Sequence, residues 1–247
     1  MPCPSVNTPP LFLPAGWRGW LVLRSACLVL LLCAVMLASA VLGPGFDFDH
    51  QIQLATSRYG MRAKQTMTQW RDLLLSLQTA TQEERVRKVH EFVNDHVTYA
   101  EDSVTWRVSD YWATPLETLS RGVGDCEDYA IAKYFSLLIA GVPSSQLRMT
   151  YVKARLGGLA GNSNAPSIAH MVLAYYPTVT GEPLILDSLL DAVKPASQRP
   201  DLTPVFSFNS DGLWVGVAQG TTASGSSTAR LSMWRNLIAK MQTDGFE

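Results

Sequence analysis

The chain has 247 residues, 47% of them hydrophobic and 17% charged, with a formal net charge of −1. That balance excludes an intrinsically disordered chain, which is poor in apolar residues and rich in charge. It also leaves no basic footprint for nucleic acid. At ~150 residues per domain the length allows one or two domains, and one is the simpler reading.

In chain order, the first feature is an uncharged apolar run, Ser25 to Leu42, preceded by Arg18 and Arg24 and containing Ala38-Ser39-Ala40. A basic flank, an apolar stretch and small residues before a cut are the three parts of a secretory signal. Residues 1–40 are therefore expected to be a signal peptide cleaved after Ala40, with an uncleaved membrane anchor as the alternative. Either way the bulk of the chain is exported. Of the four cysteines, Cys3, Cys27 and Cys33 fall in the leader, which leaves Cys126 alone beyond it. One cysteine makes no internal disulfide, and an unpaired thiol in an oxidising compartment is a liability that asks for a reason.

Residues 41–50 read as a linker. Leu54 to Leu77 carries apolar residues at helical spacing, and Thr81 to Glu84 is a capping-box pattern ahead of a helix with Val86, Val89, Val93 and Val97 on one face. Pro115 is expected to break any extended helix in Asp110 to Glu117. Gly122 to Asp128 leads into an apolar helix, Tyr129 to Ala140, closed by Gly141 and Pro143. The texture then changes to strands: Leu147 to Arg155, Ile168 to Tyr176, Pro183 to Leu190, Val205 to Phe208 and Leu213 to Val217. Helices first and an antiparallel sheet after is an α+β order. Residues 218–247 are read as a flexible small-residue linker followed by an amphipathic helix expected to dock on the body, with docking on a partner as the alternative.

Cys126 stands where a turn becomes a helix. With Asp125 as N-cap the thiol lies in the first turn, where the helix dipole favours a thiolate. Asp125, Glu127 and Asp128 pull the other way, since negative charge disfavours ionisation of a thiol. A hard divalent cation held by carboxylates would reconcile the two effects. Of the histidines, His90 and His96 are six apart and share no metal-binding face, whereas His170 lies within a strand. If that strand and the next form a hairpin with His170 opposite Asp187, both side chains project to one face with Cβ atoms ~4.5–5.5 Å apart. Asp187 can then orient the imidazole. A slip of two residues keeps the pair on one face, and a slip of one separates it.

The order Cys126, His170, Asp187 resembles the transglutaminase-like branch of the papain-type thiol enzymes. Asp110-Tyr-Trp-Ala-Thr-Pro-Leu-Glu117, Gly124-Asp-Cys-Glu-Asp-Tyr-Ala-Ile-Ala-Lys-Tyr134, His170-Met-Val-Leu173, Leu186-Asp-Ser188 and Arg199-Pro-Asp-Leu202 closely resemble the bacterial transglutaminase-like cysteine proteinases, the LapG family, from about Tyr59 to Val215. The resemblance implies a papain/transglutaminase-like α+β domain over 41–217, with the catalytic cysteine on a helix N-terminus packed against an antiparallel sheet. It implies a periplasmic endopeptidase with Cys126, His170 and Asp187 as catalytic residues, cutting the N-terminal region of a large surface adhesin at a double-alanine site to release cells from biofilm. It also implies dependence on Ca²⁺, with Asp125, Glu127 and Asp128 as ligands, and inhibition by an inner-membrane LapD-type receptor for cyclic di-GMP. The strand that reads Leu-Asp-Asn in the family reads Leu186-Asp-Ser188 here. Two other readings stay open at this level: a protein-glutamine transglutaminase or amidase using the same three residues, and a catalytically silent periplasmic adaptor.

Overall fold

The computed structural model of the protein describes residues 46–157, 166–178, 180–215 and 226–246. The expected leader, and the linker over 218–225, lie outside the described residues. Among the described residues no helix is long and apolar enough to cross a membrane.

Two helices, α1 (Phe48–Tyr59) and α2 (Met61–Ser76), occupy the stretch expected to be a linker and one helical run. Asp47 starts α1 by accepting a hydrogen bond from the His50 amide at 2.9 Å. Gly60, at φ 86°, breaks the run in a conformation that a side chain would resist. Helix α3 (Gln82–His96) opens as its capping pattern predicts, with the Thr81 hydroxyl accepting from the Glu84 amide. Strand β1 (Thr98–Tyr99) pairs in parallel with β2 (Val123–Gly124), and between them lie α4 (Asp102–Thr105) and α5 (Pro115–Arg121). Pro115 starts a helix here instead of breaking one. It occupies the first helical turn, where its missing N–H costs nothing, and Thr114 and Glu117 close a full capping box around it.

Helix α6 (Cys126–Ile139) is the centre of the molecule, and every residue from Asp128 to Leu137 is buried. A helix enclosed on all sides needs apolar residues all round, and over its buried stretch this one departs from that need at Asp128, Lys133 and Ser136. Trp70 of α2 reaches across to donate from its indole nitrogen to Ser136 Oγ at 2.8 Å. The six-stranded sheet has β3 (Leu147–Arg155), β4 (Ser167–Tyr175), β5 (Leu184–Leu186), β6 (Lys194–Pro195), β7 (Leu202–Phe208) and β8 (Leu213–Val215) in the order β6-β5-β4-β3-β7-β8. Every pairing in it is antiparallel. Met171, Leu173 and Tyr175 of β4 join the large core with the helices, while Val172 and Ala174 join a smaller cluster with Val152, Ala154 and Ile185, as strand alternation requires.

The last helix, α7 (Ser226–Thr243), docks on this body. Trp234 is buried, stacks on Phe135 at 5.7 Å and meets Tyr134 and Phe208 edge-on. Lys240 Nζ bonds the Trp112 carbonyl at 2.9 Å and the Glu117 carboxylate at 2.8 Å. Trp234→Ala is expected to cost about 3 kcal/mol, the loss for emptying a buried aromatic site, read from the midpoint of urea unfolding. An unchanged midpoint would mean that α7 adds nothing to the core.

Candidate active site

Cys126 is the first residue of α6. The short β1–β2 pair delivers the chain to that point, and Asp125 caps the helix by accepting from the Asp128 amide at 3.4 Å. Gly124 has no alternative there: a Cβ on it would lie 2.7 Å from Asp128 Cβ. The thiol is half-buried. Its Sγ–H donates to Glu127 Oε2 at 2.8 Å. Burial first, then the charge and hydrogen bond of Glu127 and the charge of Asp125, push the thiol pKa up. The backbone N–H of Met171 opposes them. That contact sets the sulfur against β4 at the residue following His170.

His170 and Asp187, named from the sequence, come together. His170 Nε2 lies 2.7 Å from Asp187 Oδ1, and both side chains are buried. They are not directly opposite each other. The ladder pairs Leu173 with Leu186, so Asp187 continues opposite Val172, two residues from the expected register. An even slip preserves the face, which is why the contact forms. Strand β5 also stops at Leu186, and Asp187 opens the turn that follows, its Oδ1 accepting from the Leu189 amide at 3.0 Å. Burial works against the charged form of Asp187. The bond and charge of His170, the Leu189 amide and the Arg199 charge outweigh it and hold the carboxyl well below the usual carboxylate range.

Helix α3 supports that turn from behind. Asn94 donates to the carbonyls of Leu190 at 2.9 Å and Asp187 at 3.4 Å, and His90 Nε2–H donates to the Leu190 carbonyl at 2.9 Å. Beside them Lys133 is fully buried with no hydrogen-bond partner for Nζ among the described residues. Burial brings its pKa down to about 7, against the pull of Asp187. Burial, followed by the Lys133 charge, lowers the His90 pKa to about 4. The folded chain therefore keeps His90 neutral while the unfolded chain takes a proton below about 6.5. The His90 contribution to stability is complete above that value and is lost as the pH falls towards 4. Between pH ~7.5 and ~5 the wild type should lose about 2 kcal/mol more stability than His90→Gln. Urea midpoints at the two pH values measure it, and equal losses would refute the assignment.

The carboxylates near the thiol divide differently from the expectation. Asp102, Asp125 and Asp128 each offer an oxygen within 4.8 Å of the others, whereas Glu127 turns to the sulfur. Asp102 Oδ2 accepts from the Tyr111 amide at 2.5 Å, and Asp128 Oδ1 from the Ala113 amide at 2.8 Å. Their second oxygens, Asp102 Oδ1 and Asp128 Oδ2, are buried without a hydrogen-bond partner among the described residues. Burial first, with the negative charge of neighbouring acids added, Glu127 among them in each case, raises the pKa of all three carboxyls, Asp128 to about 8. Buried acids that repel one another and leave oxygens unpaired fit a cation, and this cluster could hold a metal ion. Asp102 escaped the sequence reading because nothing in the spacing joins it to residues more than twenty positions on. Arg199 and Asp201 escaped as well: they lay in a recognised motif but carried no role, and they prove to stand behind Asp187.

The family model of the bacterial transglutaminase-like cysteine proteinases matches residues 57–220. The chain belongs to that family. It is a cysteine proteinase by membership, and the matched span contains the whole site. Among solved structures it is similar to LapG of Legionella pneumophila, with 41% identity and a TM-score of 0.64 over 81% of this chain and 99% of that one. The EGTA-treated form of the same Legionella protein matches at 40% identity and a TM-score of 0.65, over 81% of this chain and 100% of that one. Its calcium-bound form matches at 40% identity and 0.64, over 78% and 98%. No curated protein matches the chain. The α+β, transglutaminase-like fold read from the sequence is the fold observed.

Proposed function

We propose that this cysteine proteinase is an exported, calcium-dependent endopeptidase that works in the periplasm and uses Cys126, His170 and Asp187. The observation that carries the reading is the buried His170–Asp187 pair on the strand that meets the Cys126 sulfur. With Nε2 engaged by Asp187, Nδ1 of His170 is the nitrogen that takes the thiol proton. The Cys126 sulfur then attacks the scissile carbonyl carbon, and the C–N bond breaks as His170 returns the proton to the leaving amine. Water, deprotonated by His170, hydrolyses the thioester and regenerates the thiol. Asp187 holds the imidazole tautomer and balances its charge while the proton is on it. The Cys126 N–H belongs to the first turn of α6, where helix amides have no intrahelical acceptor, and would donate to the developing oxyanion. Asp102, Asp125 and Asp128 would hold Ca²⁺, whose charge offsets the carboxylates beside the sulfur. An all-oxygen donor set suits that ion, and the calcium-bound Legionella LapG supports the choice.

The substrate in this reading is the N-terminal region of a large surface adhesin, cut at a double-alanine site so that cells leave the biofilm. An inner-membrane LapD-type receptor for cyclic di-GMP is the inhibiting partner. The support is the 41% identity to LapG over nearly all of that protein. The test incubates the chain with the N-terminal segment of a large adhesin from the same cell, in Ca²⁺, in EGTA, and in Ca²⁺ with Cys126→Ala. One cut, seen only with Ca²⁺ and intact Cys126, is the expected result. A cut that survives EGTA removes the metal dependence, and ammonia release without a new peptide N-terminus would make the chain an amidase or transglutaminase.

A further inference from the structure

Asp187 uses both of its oxygens. Oδ1 takes His170 Nε2 and the Leu189 amide, and Oδ2 lies 2.6 Å from Arg199 Nη2. Arg199 is held from its other side by Asp201, with Nε to Oδ1 at 3.0 Å and Nη2 to Oδ2 at 2.8 Å. The Arg199 side chain is 2% exposed and that of Asp201 8%. The clamp is tied to the end of β3, because the Arg155 amide donates to the Asp201 carbonyl at 3.0 Å and its guanidinium to the Pro200 carbonyl at 2.8 Å.

We infer that Arg199, held by Asp201, is a positioning residue for the His170–Asp187 pair. This rests on the triad reading above. A guanidinium is a flat fork with fixed donor directions, so a planar contact on one side and a bond to Asp187 on the other leave little freedom for the carboxylate to rotate. Rotation would exchange the oxygen facing His170 and loosen the imidazole. Charge bookkeeping points the same way. Two carboxylates face one guanidinium, so the clamp itself carries one net negative charge beside His170, which is what an imidazolium formed during acylation requires. Lys133, with its pKa brought down to about 7, offsets little of it above that pH. Burial alone would favour protonation of Asp187, and Arg199 helps to keep it an acceptor. An acceptor at Nε2 keeps the proton on that nitrogen and frees Nδ1 for the sulfur.

The test compares Arg199→Lys, Asp201→Asn and Asp187→Asn with wild type in saturating Ca²⁺, using cleavage of the adhesin N-terminal segment and the downfield NMR resonance of the His170 Nε2 proton in the full chain. Lysine keeps the charge but lacks the planar pair of nitrogens that grips Asp201 through Nε and Nη2 while holding Asp187. Arg199→Lys should therefore lose kcat roughly 10–100-fold, the scale for a small misplacement of a reacting group, with KM nearly unchanged and the proton resonance displaced. Asp201→Asn leaves Arg199 bonded to Asp187 and is the milder probe, expected to move both readouts less and in the same direction. Correctly folded Arg199→Lys and Asp201→Asn proteins with wild-type kcat and an unmoved resonance would overturn the inference. If Asp187→Asn is inactive in that experiment, only the clamp falls. If Asp187→Asn is fully active, the triad itself falls and takes the clamp with it.

Discussion

Stripping divalent cations from the protein is expected to lower its melting temperature by about 5–10 °C at pH ~8, and added Ca²⁺ should restore it. Binding to the folded state alone at a hundred times Kd contributes about 2.7 kcal/mol, and in a chain of this size each kcal/mol moves the midpoint by about 2–4 °C. The pH dependence follows from the acids themselves. Burial and the charge of neighbouring acids, Glu127 included, raise the pKa of Asp102, Asp125 and Asp128 in the fold, Asp128 to about 8, against an ordinary carboxylate value near 4. A carboxyl with a raised folded pKa supports the fold at low pH, and that support is lost as the pH rises through the folded value. Without a cation Asp125 and Asp128 are therefore tolerated at pH ~5, where the fold keeps them protonated, and destabilise the protein at pH ~8. A cation requires the ionised form, so the calcium-induced shift should grow from pH ~5 to pH ~8. Asp102→Asn should abolish most of the shift, because Asp102 sits in the cluster with an unpaired oxygen. Glu127→Gln should leave most of it, because that carboxylate faces the Cys126 sulfur. Scanning calorimetry with Ca²⁺ or EGTA measures both. The opposite ranking of the two variants would restore Glu127 as the ligand in place of Asp102.

That contrast marks where the sequence is legible. Cys126, His170 and Asp187 could be named because local rules govern each: a cap followed by a helix, a strand, and an alternation of faces that survives a two-residue slip. The N-cap at Thr81 was readable for the same reason, since its hydroxyl and the Glu84 amide that donates to it are three residues apart. Pro115 misled because proline ends a helix only from its interior, and the flanking Thr114 and Glu117 that turn it into a start were the local signal to weigh. The break at Gly60 was legible in principle from the glycine, but the apolar spacing ran through it. Asp102 and Arg199 belong to another class. Asp102 reaches the other acids because the chain folds back through Tyr111 and Ala113, whose amides hold Asp102 and Asp128. Arg199 reaches Asp187 because β6 and the turn after it double back along β5. Neither route is encoded by spacing, so tertiary structure alone reveals them.

Asp187→Asn should reduce turnover by about 10²–10⁴-fold while leaving the protein folded. The size follows from the tautomer. An ionised carboxylate only accepts, so it fixes the proton on His170 Nε2, whereas a carboxamide can present its NH₂ and leave the proton on Nδ1, the nitrogen that must receive it from sulfur. The amide also carries no charge to match an imidazolium. Folding should survive because Arg199 keeps Asp201, bonded at 3.0 and 2.8 Å, so no buried cation is stranded by the substitution. The Leu189 amide and the Asn94 contact to the Asp187 carbonyl likewise remain available to hold the turn. The effect should appear in kcat, with KM nearly unchanged, since nothing assigned to Asp187 touches the substrate. Substitution by glutamate separates charge from position: it retains the negative charge, but its longer side chain cannot keep the 2.7 Å contact to His170 and the 2.6 Å contact to Arg199 in place. A glutamate variant as impaired as the asparagine variant would show that position governs turnover. One with near-wild-type kcat would show that the negative charge beside His170 is enough.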